Sequence, residues 1–311
     1  MKTETKMIGR LRMVAIAWLL VLTTNGDAQE PKPSARPAAP TGEPTHAAAK
    51  YGPHPRNVMD VWIAPSDQPT PVLVSIHGGA FENGAKSVGS GLRDVCLKHG
   101  ISVVAISYRL SSDAIAPAAF LDAARAVQFL RFKAREWKLD PTRIAATGDS
   151  AGAGISLWLG LHDDLADARN ADPVLRESTR LTCVATRVGQ TSYDPRFINR
   201  LFPESAPYKA RWAEKFFGTK LDDLEHLPVE KLKLFEAVSP INHLTRDDPP
   251  VLQIYGVAVD SPATDVIHHP RFGKALKDRM DALGIPCVIV ETLRANENVI
   301  FEFVRKHLAR K

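Results

Sequence analysis

The stretch that most constrains the fold is Ile144-Ala145-Ala146-Thr147-Gly148-Asp149-Ser150-Ala151-Gly152. Its apolar start, residues 144–146, reads as a buried strand. It runs into a G-x-S-x-G pentapeptide, and an amphipathic run over 155–165 follows that reads as a helix. In that order a serine sits on a tight turn between strand and helix. Gly148 and Gly152 leave room where the two backbones come closest. The pentapeptide alone recurs in unrelated chains, and the strand before it and helix after it give it meaning.

The same rhythm extends on both sides. Residues 58–64 predict a strand. Residues 72–76 are a near-continuous apolar run suited to a parallel strand covered on both faces. Residues 92–98 then read as helix, 101–107 as strand, and 118–138 as a long helix that offers Leu121, Ala124, Val127, Phe129 and Leu130 to a buried face and stops at Asp140-Pro141. Strands alternating with helices from 72 to 165 predict an α/β architecture with a doubly wound, mostly parallel sheet. Over 163–246 the alternation lapses. A strand-like run at 181–188 is followed by residues 191–247, with short amphipathic runs at 208–217 and 229–237. These carry Trp212, Phe216, Phe217 and Phe235, too much apolar bulk for a disordered loop, so the segment reads as a helical cap insertion. The rhythm resumes with strand 251–255, helix 272–283, strand 286–290 and helix 297–308.

The amino terminus is set apart. Lys2, Lys6, Arg10 and Arg12 precede an apolar run at 13–22, and Gly26-Asp27-Ala28 puts small residues at the boundary, so residues 1–28 read as a signal peptide. The run is short for a bilayer span, which implies cleavage and a secreted or periplasmic protein without a membrane anchor. Cleavage lowers the net charge from +5 to +3. So mild a charge, with no Lys/Arg cluster interleaved with aromatics, gives no support for nucleic-acid binding. Residues 29–50, with five prolines among alanines and polar residues, read as a linker before a domain at 51–311. The three cysteines, Cys96, Cys183 and Cys287, are too few and too widely spaced for a disulfide framework, and read as structural with one bridge open to them.

Four motifs stand in order over residues 58–165: His77-Gly78-Gly79; Tyr108-Arg109-Leu110; Pro117-Ala118-Ala119 with Asp122; and Asp140-Pro141 through Arg143-Ile144 to Gly148-Asp149-Ser150-Ala151-Gly152. Together they resemble the alpha/beta hydrolases, specifically the hormone-sensitive-lipase-like carboxylesterases and the feruloyl-esterase-like group beside them. The resemblance implies an alpha/beta hydrolase fold and an acyl-enzyme formed on Ser150 from a small-molecule carboxylic ester, with no cofactor. A serine hydroxyl needs a base to take its proton and a third group to orient that base. The oxyanion that forms needs fixed donors, here the N–H groups of Gly78, Gly79 and Ala151, each worth about 3 kcal/mol of transition-state stabilisation. Ala80 stands where the family's motif has a third glycine, which keeps an N–H and adds a Cβ.

The acid is expected after the strand 251–255, and Asp260 is the nearest match; Asp265 is the alternative and Asp194 a more distant one. The resemblance places the histidine between the last strand and the last helix, but residues 291–298 contain none. His307 lies about three turns into the last helix and reads as a surface residue. His268 and His269 follow the acid loop and could reach the same sheet edge. This leaves a serine esterase with His268 or His269 as base, or a degenerate hydrolase fold acting as a binding protein. Gln190, Thr191, Ser192 and Tyr193 follow a strand end, where Gln190 and Tyr193 are candidate substrate contacts. His162-Asp163-Asp164 and His268-His269 look ligand-like. Adjacent histidines cannot both face one ion from a regular element, and no His pair stands at i, i+4, so no metal site is expected.

If residues 1–28 are a leader, mass spectrometry of the cell-associated protein will find neither Met1 nor Lys2 in the mature chain.

Overall fold

The computed structural model describes residues 42–205, 208, 210–292 and 297–309. The leader and most of the linker expected from the sequence fall outside them. Within them the chain runs β1 (His46–Lys50), β2 (Val58–Trp62), β3 (Thr70–Ile76), α1 (Ser90–Lys98), β4 (Ser102–Ile106), α2 (Ala118–Trp137), β5 (Leu139–Asp149), α3 (Ala151–Leu161), β6 (Cys183–Arg187), α4 (Pro195–Leu201), α5 (Arg211–Phe217), α6 (Val229–Ala237), β7 (Val251–Tyr255), α7 (Arg271–Leu283), β8 (Cys287–Glu291) and α8 (Glu297–Leu308).

The strands form one sheet in the order β1-β2-β4-β3-β5-β6-β7-β8. The pairs β1–β2 and β2–β4 are antiparallel and every later pair is parallel. At the centre Val74 of β3 stands between Val104 of β4 and Ala146 of β5. The side chains alternate between faces, as the period of two demands. Val72, Val74 and Ile76 pack with Phe120, Val127, Phe272 and Leu276 of α2 and α7, and with α3. Leu73 of the same strand packs with Leu92 and Cys96 of α1 and with Ile300, Phe301 and Val304 of α8. Every residue of β3 is buried, which is why its sequence is apolar except for Thr70 and Ser75, whose hydroxyls are hydrogen-bonded within the protein. Each such Val, Leu, Ile or Phe contributes about 1.5–3 kcal/mol on leaving water.

Several boundaries differ from the sequence reading for identifiable reasons. Residues 46–50, read as linker, pair with β2 as an edge strand. Helix α2 ends because Lys138 turns left-handed (φ 51°, ψ 43°), and β5 begins at once and passes straight through Asp140-Pro141. Helix α3 starts at Ala151 rather than at 155 and is buried on every side, so its apolar residues carry no amphipathic period. The insertion at 191–247 supplies α4, α5 and α6, and its rings pack downward. Phe216 stacks on Phe81 at 4.0 Å, the Ala116 N–H donates to the Phe216 carbonyl at 2.8 Å, and Lys215 pairs with Glu82. Near the other end of the chain, the Glu297 carboxylate fills the space beside Gly89 and Gly91, at the start of α1, where a helix N-terminus favours negative charge. Among the described residues no helix is long and apolar enough to cross a membrane.

All three cysteines are free and buried, so the bridge left open by the sequence is not formed. Burial pushes the Cys96 and Cys183 thiols up to about 12 and Cys287 to about 11. Because the thiolate is the nucleophile, native protein at pH 8 should resist iodoacetamide at all three positions and take up three labels in denaturant, as counted by intact-mass spectrometry.

Candidate active site

The site begins where β5 meets α3. Ser150 has φ 50° and ψ −118°, a backbone conformation that L-residues rarely adopt. The strain persists because its surroundings over-determine it. A Cβ on Gly152 would collide with the carbonyls of Ile76 and His77, and one on Gly148 would collide with the backbone of Gly152. Only glycine lets α3 start this close to β3 and β5. The turn is pinned from β6 as well: the Ser150 N–H donates to the Arg187 carbonyl at 3.1 Å. The Arg187 guanidinium grips the Asp149 carboxylate at 2.6 and 3.0 Å. Arg187 was not singled out from the sequence, although an arginine ending an otherwise apolar strand is a visible signal for such a clamp.

The loop after β3 supplies donors. A Cβ on Gly78 would sit 2.8 Å from the Asp149 carbonyl, which measures how tightly the loop lies against the serine turn. Gly79 has φ 110°, and its carbonyl accepts from the N–H groups of Glu82 and Asn83. Ala80 and Phe81 follow at φ 53° and 59°, so the missing third glycine is accommodated by two strained L-residues. The N–H groups of Gly78, Gly79 and Ala151 have no acceptor among the described residues. His77 shapes the loop and does no proton chemistry. Its ring stacks on Tyr108 at 4.2 Å and its Nδ1–H donates to the Gly78 carbonyl, while burial lowers its pKa and keeps it neutral.

The third component comes from the connection between β7 and α7. There a short 3₁₀ turn, Val266–His268, brings His268 to the serine. The Ser150 hydroxyl donates to His268 Nε2 at 3.0 Å, and His268 Nδ1–H donates to Asp265 Oδ2 at 2.7 Å. The Asp265 contact fixes which tautomer the ring adopts. Asp260, the acid expected from its distance to the strand, is exposed and makes no contact with His268. Asp265 stands three residues before the histidine, and the 3₁₀ turn stacks i on i+3. Asp194 caps α4 by accepting from the Arg196 N–H at 2.8 Å and pairs with the Arg196 side chain. His269 is buried and turned away from the serine, its Nε2–H donating to the Ser261 carbonyl at 3.0 Å. His307 packs on Phe303 of its own helix.

Tyr193 and Gln190, expected to contact substrate, are both buried. The Gln190 carboxamide is engaged by the protein itself, and Tyr193 lies in an aromatic layer with Phe81, Phe120, Trp212 and Phe216. Burial holds the Tyr193 phenol well above its ordinary pKa, so it is neutral. Two pockets of about 630 and 690 Å³, one beside α4 and α6 and one beside α2, have none of Ser150, His268, Gly78 or Gly79 in their walls. Among the described residues no group of three His, Cys, Asp or Glu is disposed to hold a metal ion.

A mostly parallel, doubly wound sheet with a serine on a strained turn after its fifth strand defines the alpha/beta hydrolase fold. Comparison with known proteins narrows this: residues 59–261 match the BD-FAE family, and the chain belongs to it. Esterase LipQ of Mycobacterium tuberculosis is 28% identical over 258 residues, which are 80% of this chain and 55% of that protein. A probable isoprenylcysteine alpha-carbonyl methylesterase of Arabidopsis thaliana, ICMEL2, is 38% identical over 107 residues, 34% of this chain and 25% of its own. The chain spans about half the length of LipQ and of a second similar protein, esterase LipC. Among solved structures, a truncated carbohydrate esterase from gut microbiota superposes with a TM-score of 0.67 at 20% identity, covering 85% of this chain and 96% of that one. An esterase of Thermogutta terrifontis, Est2, does so with 0.59 at 18% identity, covering 83% and 88%.

The packing at the turn makes a direct prediction. Gly152→Ala should lower stability by about 3 kcal/mol, because the new Cβ meets backbone that cannot rotate away. A fall in Tm of several degrees by calorimetry is the expected reading, and an unchanged Tm would refute the close approach.

Proposed function

We propose that this protein is a serine esterase that cleaves a small carboxylic ester through an acyl-enzyme on Ser150. The observation that carries this reading is the 3.0 Å hydrogen bond from the Ser150 hydroxyl to His268 Nε2, continued at 2.7 Å from Nδ1 to Asp265. Neutral His268 takes the hydroxyl proton as Ser150 Oγ attacks the ester carbonyl, and Asp265 stabilises the imidazolium that forms. The negative charge on the former carbonyl oxygen is met by the N–H groups of Ala151, Gly78 and Gly79. Collapse transfers the imidazolium proton to the departing alcohol and leaves the acyl group on Ser150. Water then repeats the sequence with the same base and frees the acid.

The case for a binding protein without turnover rested on the lack of a histidine after the last strand. A histidine delivered from the preceding connection removes the reason to prefer it. Family membership and the ester-hydrolase names of similar proteins support the same chemistry. The basic, then apolar, amino terminus supports action outside the cytoplasm.

Ser150→Ala and His268→Ala should each reduce hydrolysis of short-chain aryl esters by several orders of magnitude, with an unchanged circular dichroism spectrum. The two aspartates separate the geometry from the sequence spacing. Asp265→Asn should cost roughly 10- to 1,000-fold, less than for a buried acid because its side chain is 62% exposed. Asp260→Asn should stay within about twofold of wild type, since it touches nothing in the proton path. Equal effects at the two positions would refute the assignment.

A further inference from the structure

The base and its acid both sit on one connection, residues 256–270, and the 3₁₀ turn that bears His268 has no fully buried residue of its own. Its own Val266 and Ile267, and Ala263 before it, are only partly buried. Something else must hold the imidazole within hydrogen-bonding reach of Ser150. A tether on the turn comes from the segment just after β6: the Gln190 Nε2 group donates to the carbonyl of Ile267 at 2.6 Å, one peptide before His268. The same NH₂ group donates its second proton to the Val188 carbonyl at 3.2 Å. Both partners are carbonyl oxygens, so the orientation of the amide is dictated by its surroundings. The side chain is 4% exposed, and water cannot replace these bonds.

Two further features show that the chain is bent to deliver this amide. Val188 has φ 47°, a conformation that a β-branched residue adopts only under constraint, and it turns the chain at the end of β6. The bend is locked from both sides. The Val188 N–H donates to Ile254 at 2.8 Å, and the Tyr255 hydroxyl donates to the Gly189 carbonyl at 2.7 Å. Next along, Thr191 Oγ1 donates to the Phe272 carbonyl at 2.9 Å, which extends the seam to the start of α7. On the other side of Gln190, Tyr193 sits where any side chain on Gly154 would collide with its hydroxyl. That accounts for a glycine in the first turn of α3, beyond the pentapeptide.

We propose that Gln190 is a positioning residue for the reaction: its buried carboxamide ties the strained end of β6 to the Ile267 carbonyl and so sets His268 against Ser150. The inference rests on the esterase reading and deepens it. Gln190 touches neither substrate nor the reacting atoms and acts through the backbone of the turn. Misplacement of a catalytic group by about 1 Å costs on the order of 100-fold in rate, so a bridge of this kind is worth measuring.

Two variants break the bridge in opposite ways. Gln190→Met keeps the length and removes the donor; Gln190→Asn keeps the amide and falls one methylene short of Ile267. In the full chain both should lower kcat on p-nitrophenyl acetate by roughly 10- to 100-fold with KM within about twofold of wild type. Both should slow phosphonylation of Ser150 by a fluorophosphonate in proportion. The downfield proton resonance of the His268–Asp265 hydrogen bond should broaden or vanish, which a merely structural loss elsewhere in the fold would not produce. If Gln190→Met does not fold, Gln190→Asn decides. Wild-type kcat and an intact resonance in either folded variant would overturn the proposal. If wild-type protein neither turns over nor labels at Ser150, the esterase reading fails, and the resonance in wild type against variant still decides whether Gln190 places His268.

Discussion

The contact on which the rest depends is the approach of the first turn of α3 to the ends of β3 and β5. The carbonyls of Ile76 and His77 occupy the volume that a side chain on Gly152 would need, and the backbone of Gly152 does the same for Gly148. That approach does three things at once. It throws Ser150 onto a half-buried, strained turn and lays the Gly78–Gly79 loop against the same turn. It also starts α3 at Ala151, whose N–H is one of the donors in the proposed mechanism. The strain at Ser150, of order 1–3 kcal/mol, is offset by elements that cannot yield, since β5 lies between two parallel partners and α3 is buried along its whole length.

Apolar packing builds the scaffold, but polar tethers place the reactive groups. Arg187 holds Asp149 and, through its carbonyl, the Ser150 N–H. Tyr108 donates to the His77 carbonyl at 2.8 Å while its ring supports the His77 imidazole. His269 ties the loop that carries His268 to the Ser261 carbonyl. The division follows from the geometry each must supply. Hydrophobic burial is non-directional and fixes where elements lie, whereas a hydrogen bond to a carbonyl fixes where a particular peptide points.

The sheet, its parallel character and the serine turn were legible in the sequence because each leaves a periodic or positional mark. The nearly continuous apolar runs of β3 and β7, and the glycines at fixed offsets from Ser150, have no other economical explanation. What the sequence hid was set by contacts between distant segments. Asp260 stood nearest the expected spacing, but a 3₁₀ turn, three residues long and without apolar periodicity, made Asp265 the carboxylate facing His268. Gln190 and Tyr193 followed a strand end as pocket residues do, yet the left-handed bend at Val188 turned them inward. Residues 46–50 looked like linker because an edge strand of alanines has no hydrophobic pattern to show.

The pairing of Asp265 with His268 on a single connection has a consequence for what the end of the chain must supply. Ser150, the N–H groups of Gly78, Gly79 and Ala151, His268 and Asp265 all precede β8 in the chain, so the proposed chemistry draws no side chain from the last crossover. Its helix serves as a cover for one face of the sheet and lends Glu297 to the start of α1. The last strand and helix complete the sheet beside β7 and cover one of its faces. What that segment must keep is structural: its cover over Leu73, Val103 and Ala145, the Glu297 carboxylate beside Gly89 and Gly91, and the Glu291 carboxylate that accepts from the Val259 N–H at 3.2 Å.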